Sequence, residues 1–365
     1  MATTDLPATA AANPSVPDAP AARVQRATPA NFIAAVAGLA LVAWLVVVAT
    51  GDDRAGQLRL TDICVFVVLA SMWNLLAGYG GLVSIGQQAY VGLGAYGLIV
   101  VSNGWDQDIY FSVLPAALMT GVLALPIAFV AFRLRGGYFA VGTWVIAEVV
   151  RLVIKNNTSE TIGGGRGTSL GVRNYEPAAR ISTTSLLAVV LAVVAVVAVY
   201  LVLRSRAGLA LQAIRDDEAG ARGLGANVTR LRLGVYLLAA TFTGAAAAVY
   251  YLKTINVQPD AAFSVSAWTA PVIVMVVVGG LGTIEGPIIG AVAYEVLRRA
   301  LTDGRGWLDL SPESYLIATG LLAVVFALYV KGGIWGTLTR RFPRLQLFPI
   351  RRRLVAPAIA EARRS

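Results

Sequence analysis

What most constrains this chain is a series of apolar segments, at about 31 to 50, 60 to 78, 82 to 101, 110 to 132, 138 to 155, 183 to 203, 231 to 252, 266 to 282, 286 to 301 and 313 to 330. Most approach the ~20 residues that a helix needs to cross ~30 Å of hydrocarbon. Inside that layer the backbone has no water to bond, so such segments fold as helices that satisfy their own amides. Composition agrees. Hydrophobic residues make up 57% of the chain and charged ones 14%, with a mean hydropathy of +0.70, where an ordinary soluble domain carries about 25% charged residues. The expected fold class is an all-α polytopic membrane protein with about ten transmembrane helices, eight at the fewest. The third, eighth and ninth segments are short or interrupted by Gly and Pro, which predicts broken or re-entrant helices there.

The charges orient the spans. Residues 1 to 30, rich in Ala, Pro and Thr, bury no core and read as a disordered cytoplasmic tail; no apolar h-region follows Met1, so this is not a signal peptide. With Arg23 and Arg26 inside, the count also places inside Arg133 and Arg135, the island Arg204 to Arg232, and the basic run Lys331 to Arg363. The outer loops receive Asp106, Asp108 and residues 156 to 182. Cytoplasmic Lys and Arg are what the positive-inside rule requires, so both termini are expected in the cytoplasm. Arg298 and Arg299 break the rule. The membrane domain is expected over 31 to 336, with a charged cytoplasmic loop at 204 to 232 and a basic cytoplasmic tail over 337 to 365.

Several function classes fall away. The net charge of +10 follows the spans and forms no basic, aromatic-interleaved face, which argues against nucleic-acid binding. Cys64 is the single cysteine and there is no histidine, so an internal disulfide and the usual zinc ligand sets are excluded and no metal site is expected. Nothing matches the phosphate-binding G-x-x-x-x-G-K-[ST]. A membrane-embedded enzyme would need His, Asp or Glu clustered at one depth, and the acids are too sparse.

The chain also resembles itself. Gly80-Gly81-Leu82-Val83-Ser84-Ile85 recurs as Gly279-Gly280-Leu281-Gly282-Thr283-Ile284, and GLGAY at 92 to 96 is echoed by GAVAY at 290 to 294. Repeated spans broken by glycine suit a transporter core; close helix packing through small residues is the alternative. Asn74, Ser84, Gln87, Gln88 and Tyr90 put neutral polar groups on or beside the first glycine-rich segment, a mixture suited to passing a zwitterion with an aliphatic side chain. Ionisable groups at depth are functional candidates by default. Glu148 and Arg151 stand one helical turn apart, placed to pair with each other, and either hold helices together or line a path. Glu285 lies beside the Gly282 to Pro287 break and either lines the path or marks its edge.

The island reads as a surface for a soluble partner. Arg215, Asp216, Asp217 and Glu218 are placed to start or cap a helix. Ala219, Gly220, Ala221 and Gly223 give that helix a thin face, and Gly225 followed by Ala226 and Asn227 offers a stop.

Five blocks carry a family resemblance. NLLAGYGGLVSIGQQAYVGLGAY (74 to 96), RLRGGYFAVGTWVIAEVVRLVIKN (133 to 156), TIGGGRGTSLG (161 to 171), AIRDDEAGARGLGANVTRLRL (213 to 233) and VVGGLGTIEGPIIGA (277 to 291), with the ending YVKGGIWG (329 to 336), resemble in order and spacing the LivM-type permeases of bacterial branched-chain amino acid ABC importers. The resemblance implies a multi-pass permease of the bacterial cytoplasmic (inner) membrane that works by alternating access. It would pair with a second homologous permease, two cytoplasmic ATPases and an extracytoplasmic substrate-binding protein. ATP and Mg would sit on the ATPases, with no cofactor on this chain. Residues Arg215 to Gly225 would form the coupling helix in the ATPase groove, although Gly220 stands where the broader importer pattern has Ala. Gly163, Gly164 and Gly165 would touch the binding protein, a structural turn being the alternative. Branched-chain or other hydrophobic amino acids are the expected cargo. A urea or short-amide permease of the same superfamily is the nearest alternative, and an ion-coupled secondary transporter lies further off.

Overall fold

The computed structural model describes residues 23–24, 29–172, 174–302, 312–330, 332–341 and 354–355. Its helices in chain order are α1 (Pro29–Thr50), α2 (Arg54–Asn74), α3 (Gln87–Ile99), α4 (Val113–Ala131), α5 (Gly137–Lys155), α6 (Pro177–Arg204), α7 (Arg206–Asp216), α8 (Glu218–Gly223), α9 (Val228–Thr254), α10 (Pro259–Ala262), α11 (Ala270–Gly279), α12 (Glu285–Thr302), α13 (Pro312–Tyr329) and α14 (Gly333–Arg341). Each predicted apolar segment coincides with a helix, and six helical stretches among the described residues are long and apolar enough to cross a membrane: Arg54–Tyr79, Val113–Ala131, Gly137–Lys155, Pro177–Arg204, Val228–Thr254 and Pro259–Gly279. The expected tail over 1 to 30 falls almost entirely outside the described residues. The basic tail is described at 337–341, where it continues α14, and at Leu354–Val355.

Small residues decide what lies at the centre. The middle of α9 reads Thr243-Gly244-Ala245-Ala246-Ala247-Ala248, all buried. Without bulky side chains between them, backbones approach closely, which is how helices associate where hydrocarbon removes the usual hydrophobic drive. A Cβ at Gly94 of α3 would come within 2.6 Å of the Gly244 Cα. So α9 packs against α2, α3, α4 and α6, while α11 and α12 pack on each other and on α2. At 28 residues and ~1.5 Å per residue, α6 is about 42 Å long, more than a bilayer core requires. Its far end delivers the chain to the island.

The outward faces are apolar. Leu114, Leu118, Val122 and Phe129 on α4, and Val141, Val145, Val149 and Val153 on α5, are exposed, the surface that lipid or another membrane subunit solvates.

Three of the helical runs end or begin in π turns, Leu75–Tyr79, Val100–Gly104 and Val265–Thr269. Two such turns flank α3, and one precedes α11. The turns at Val100–Gly104 and Val265–Thr269 fall at the third and eighth predicted segments, while Leu75–Tyr79 closes the second; the ninth, also expected to break, is the continuous α12, because its Gly286 and Pro287 sit in the first turn, where proline is tolerated. Each glycine-rich repeat joins two helices that meet at a break: α2 and its π turn give way to residues 80–86 and then α3, and α11 gives way to 280–284 and then α12.

Candidate coupling island and translocation elements

Starting from the residues of the island, Asp217 is extended and caps α8, its carboxylate accepting from the Ala219 and Gly220 amides, each at 3.0 Å. Those amides have no partner within a first helical turn, and a carboxylate there is favoured by the helix dipole as well. Glu218 pairs with Arg222 at 2.6 Å and reaches Arg232 of α9 at 2.9 Å. Gly225 ends the turn with φ +88, a left-handed conformation that costs glycine nothing. Asn227 then caps α9, its Oδ1 accepting from the Arg230 amide at 3.0 Å.

The island has its own small core. Ile214, Ala221 and Val228 are buried against one another, with Ala226 and Leu231 beside them. It is therefore a packed unit. Asp216, Asp217, Ala219, Gly220 and Gly225 are exposed while Ala221 is buried and Glu218 half-buried. Leu224 projects from this polar surface 90% exposed. Sequence reasoning passed over it, although a lone leucine between Gly223 and Gly225 was the signal. Arg215 behaves differently from its neighbours: its Nε donates to Asp216 at 3.0 Å, but its Nη1 donates to the Gly78 carbonyl at 2.5 Å.

Gly78 leads to the expected path residues. Asn74 is buried at the end of α2, just before the first glycine-rich break, and ties it to the second: its Nδ2 donates to the Thr283 carbonyl at 2.7 Å and its Oδ1 accepts from the Gly282 amide at 2.8 Å. A Cβ at Gly78 would lie 2.8 Å from the Gly282 nitrogen, so only glycine permits that approach. Ser84, Gln87 and Tyr90 converge on one small cavity with Trp73 and Thr243. Gln87 donates to the Leu69 carbonyl at 2.9 Å, Tyr90 to the Tyr236 hydroxyl at 2.5 Å, and Gln88 accepts a short hydrogen bond from Thr269. Each of these five residues is buried and bonded inside the chain. In this conformation they hold helices together.

Glu148 and Arg151 do pair, as their spacing predicts, through Arg151 Nε at 2.9 Å. Arg151 also bridges to Asp260 at the start of α10, which Lys155 meets at 2.9 Å. The pair therefore fastens α5 to α10, and the Glu148 side chain stays 46% exposed. Glu285 is buried in the first turn of α12. Gly163 and Gly164 take left-handed conformations, φ +70 and +50, and Gly164 is buried; Gly165 and Arg166 are exposed. This loop leads into the strand Thr168–Ser169, which pairs antiparallel with Asn256–Val257.

The two arginines that break the charge rule have a buried partner. Glu295, 1% exposed, holds Arg298 at 2.7 Å and Arg299 at 2.6 Å. Far from the island, Asp108 caps its loop and accepts from Tyr175 at 2.7 Å. Burial alone would raise that carboxyl, but the Tyr175 hydroxyl and the Phe111 and Tyr110 amides outweigh it and hold it below the usual range. No group of three or more His, Cys, Asp or Glu side chains among the described residues is placed to hold a metal ion.

Apolar helices suited to a bilayer, two glycine-broken segments in contact, and a packed polar island define a multi-pass membrane protein. Residues 58–331 match the family described as branched-chain amino acid transport system / permease component, and this chain belongs to that family. It is 27% identical to the high-affinity branched-chain amino acid transport system permease protein LivM of Salmonella typhimurium over 84% of this chain and 74% of that protein. The Escherichia coli protein of the same description is also 27% identical, over 87% and 76%. Among solved structures, a chain of PsaBC from Streptococcus pneumoniae aligns at a TM-score of 0.45 and 13% identity, over 80% of this chain and 96% of that one.

Proposed function

We propose that this chain is the permease subunit of an ATP-binding cassette importer that moves branched-chain or other hydrophobic amino acids across a bacterial cytoplasmic membrane. Family membership over 58–331 carries the reading, and the capped, separately packed α8 gives it a mechanical element. The chain itself performs no covalent chemistry. ATP and Mg belong to two partner ATPases, and a second homologous permease and an extracytoplasmic binding protein complete the importer. About ten helices cross or enter the membrane, with both termini and the island cytoplasmic, and the glycine-rich repeats form the moving centre of an alternating-access cycle.

Within this reading Asp217 to Gly220, Leu224 and Gly225 meet the ATPase, with Ala221 buried beneath them in the island core. Glu148 and Arg151 are the better candidates for the path, since the Glu148 side chain is half exposed whereas Asn74, Ser84, Gln87, Gln88 and Tyr90 are buried; Glu285 borders it. Gly165 and Arg166 are the part of the outer loop available to a binding protein. The test is uptake by proteoliposomes holding this chain with its partner subunits. ATP-dependent accumulation of leucine, isoleucine or valine is expected, and accumulation of urea in place of all three would overturn the cargo.

A further inference from the structure

Arg215 is the last basic residue of α7, yet its guanidinium leaves the island. Nη1 meets the Gly78 carbonyl in the π turn Leu75–Tyr79, where a helix is ending and its carbonyls lose intrahelical donors. A bond from a guanidinium is charge-assisted and stronger than an ordinary one. A Cβ at Gly81 would lie 3.2 Å from the Arg215 Cγ, and one at Gly282 would lie 3.6 Å from Nη1. One side chain therefore lies against both glycine-rich breaks, at the point where Asn74 bonds them to each other. Its own backbone is fixed by the preceding residue, Ile214, which is buried with Ala221 of α8 in the island core.

We propose that Arg215 is a positioning residue that transmits motion of the island to the paired breaks, and that it is not an ATPase contact. A displacement of α8 moves Ile214 through the shared core, Arg215 moves with it, and Gly78 is drawn along by its carbonyl. The two breaks then shift as one unit because Asn74 joins them. This inference rests on the coupling role of α8 proposed above.

Two measurements on Arg215→Gln test it, with Arg215→Lys as a second variant that keeps the charge and one usable donor. In the assembled importer, Arg215→Gln is expected to retain its ATPases and to hydrolyse ATP while uptake per ATP falls on the order of tenfold, as loss of one charge-assisted bond implies; Arg215→Lys should fall between. Loss of ATPase association would overturn the inference, making Arg215 a docking residue, and so would wild-type uptake per ATP. In the full-length chain in nanodiscs, hydrogen exchange at residues 76–82 and 280–284 should quicken on the order of tenfold in both segments. Unchanged exchange in either segment would overturn it. If the wild-type importer carries no amino acid, the importer reading fails, and the exchange result still decides whether Arg215 holds the two breaks.

Discussion

Asn74 is the residue on which the centre of the molecule turns. A buried amide offers both donors and acceptors, and here one of each is spent on the opposite glycine-rich break. Removing it leaves the Gly282 amide and the Thr283 carbonyl to be satisfied otherwise, and a buried polar group without a partner costs about 1–3 kcal/mol. Asn74→Leu should lower the thermal unfolding midpoint of the detergent-solubilised chain accordingly. Asn74→Asp should do so too, because a carboxylate keeps the acceptor for Gly282 but faces the Thr283 carbonyl without a donor. An unchanged midpoint in both variants would mean that this bridge holds nothing. The polar character of Asn74, Gln87, Gln88 and Tyr90 was legible in the sequence; their partners were not. Asn74 bonds residues more than two hundred positions away, and Tyr90 finds Tyr236. Such pairings follow from how helices stack, which local spacing does not encode.

At the scale of elements, α8 was readable because its signals are local. Asp217 before a short helical run and Gly225 after it are the cap and the stop that the structure uses. The exposed Leu224 escaped a reading that looked for charge and small size. On α12 the charge rule signalled an exception at Arg298 and Arg299, and the compensating Glu295 sits one turn earlier on the same helix. Since α12 starts at Glu285 beside the second glycine-rich break, Glu295 and Arg299 lie about 15 and about 21 Å along it from that break. A buried carboxylate that neutralises two guanidiniums explains how they are tolerated there. Glu295→Gln should destabilise the protein, by less than the ~3–5 kcal/mol of a fully buried broken pair, because Arg298 and Arg299 keep partial access to solvent. Chemical unfolding of the purified variant reads the loss. Stability equal to wild type would show that solvent alone satisfies the arginines.

Across the described residues, apolar length in the sequence marks the long membrane helices, and glycine placement marks the breaks at 80–86 and 280–284 while also signalling one within α12 that the structure lacks. What they leave open is which helices lie at the centre, since α4 is more apolar than α9 and yet it is the alanine and glycine face of α9 that packs centrally and meets α3. The architecture places the island at one end of α6 and α9 and Asn103 at the far end of α3. Because Cys64 is buried, a cysteine introduced at Leu224 should react with an impermeant maleimide only from the cytoplasmic side, and one at Asn103 only from the opposite side. Labelling of both from one side would refute the orientation. The most direct test of the central claim is ATP-dependent amino acid uptake by proteoliposomes holding the complete importer, compared between wild type and Leu224→Arg. The account predicts that Leu224→Arg leaves the chain inserted but abolishes ATPase capture and uptake together. Full uptake by that variant, or uptake driven by an ion gradient with no ATPase present, would contradict it.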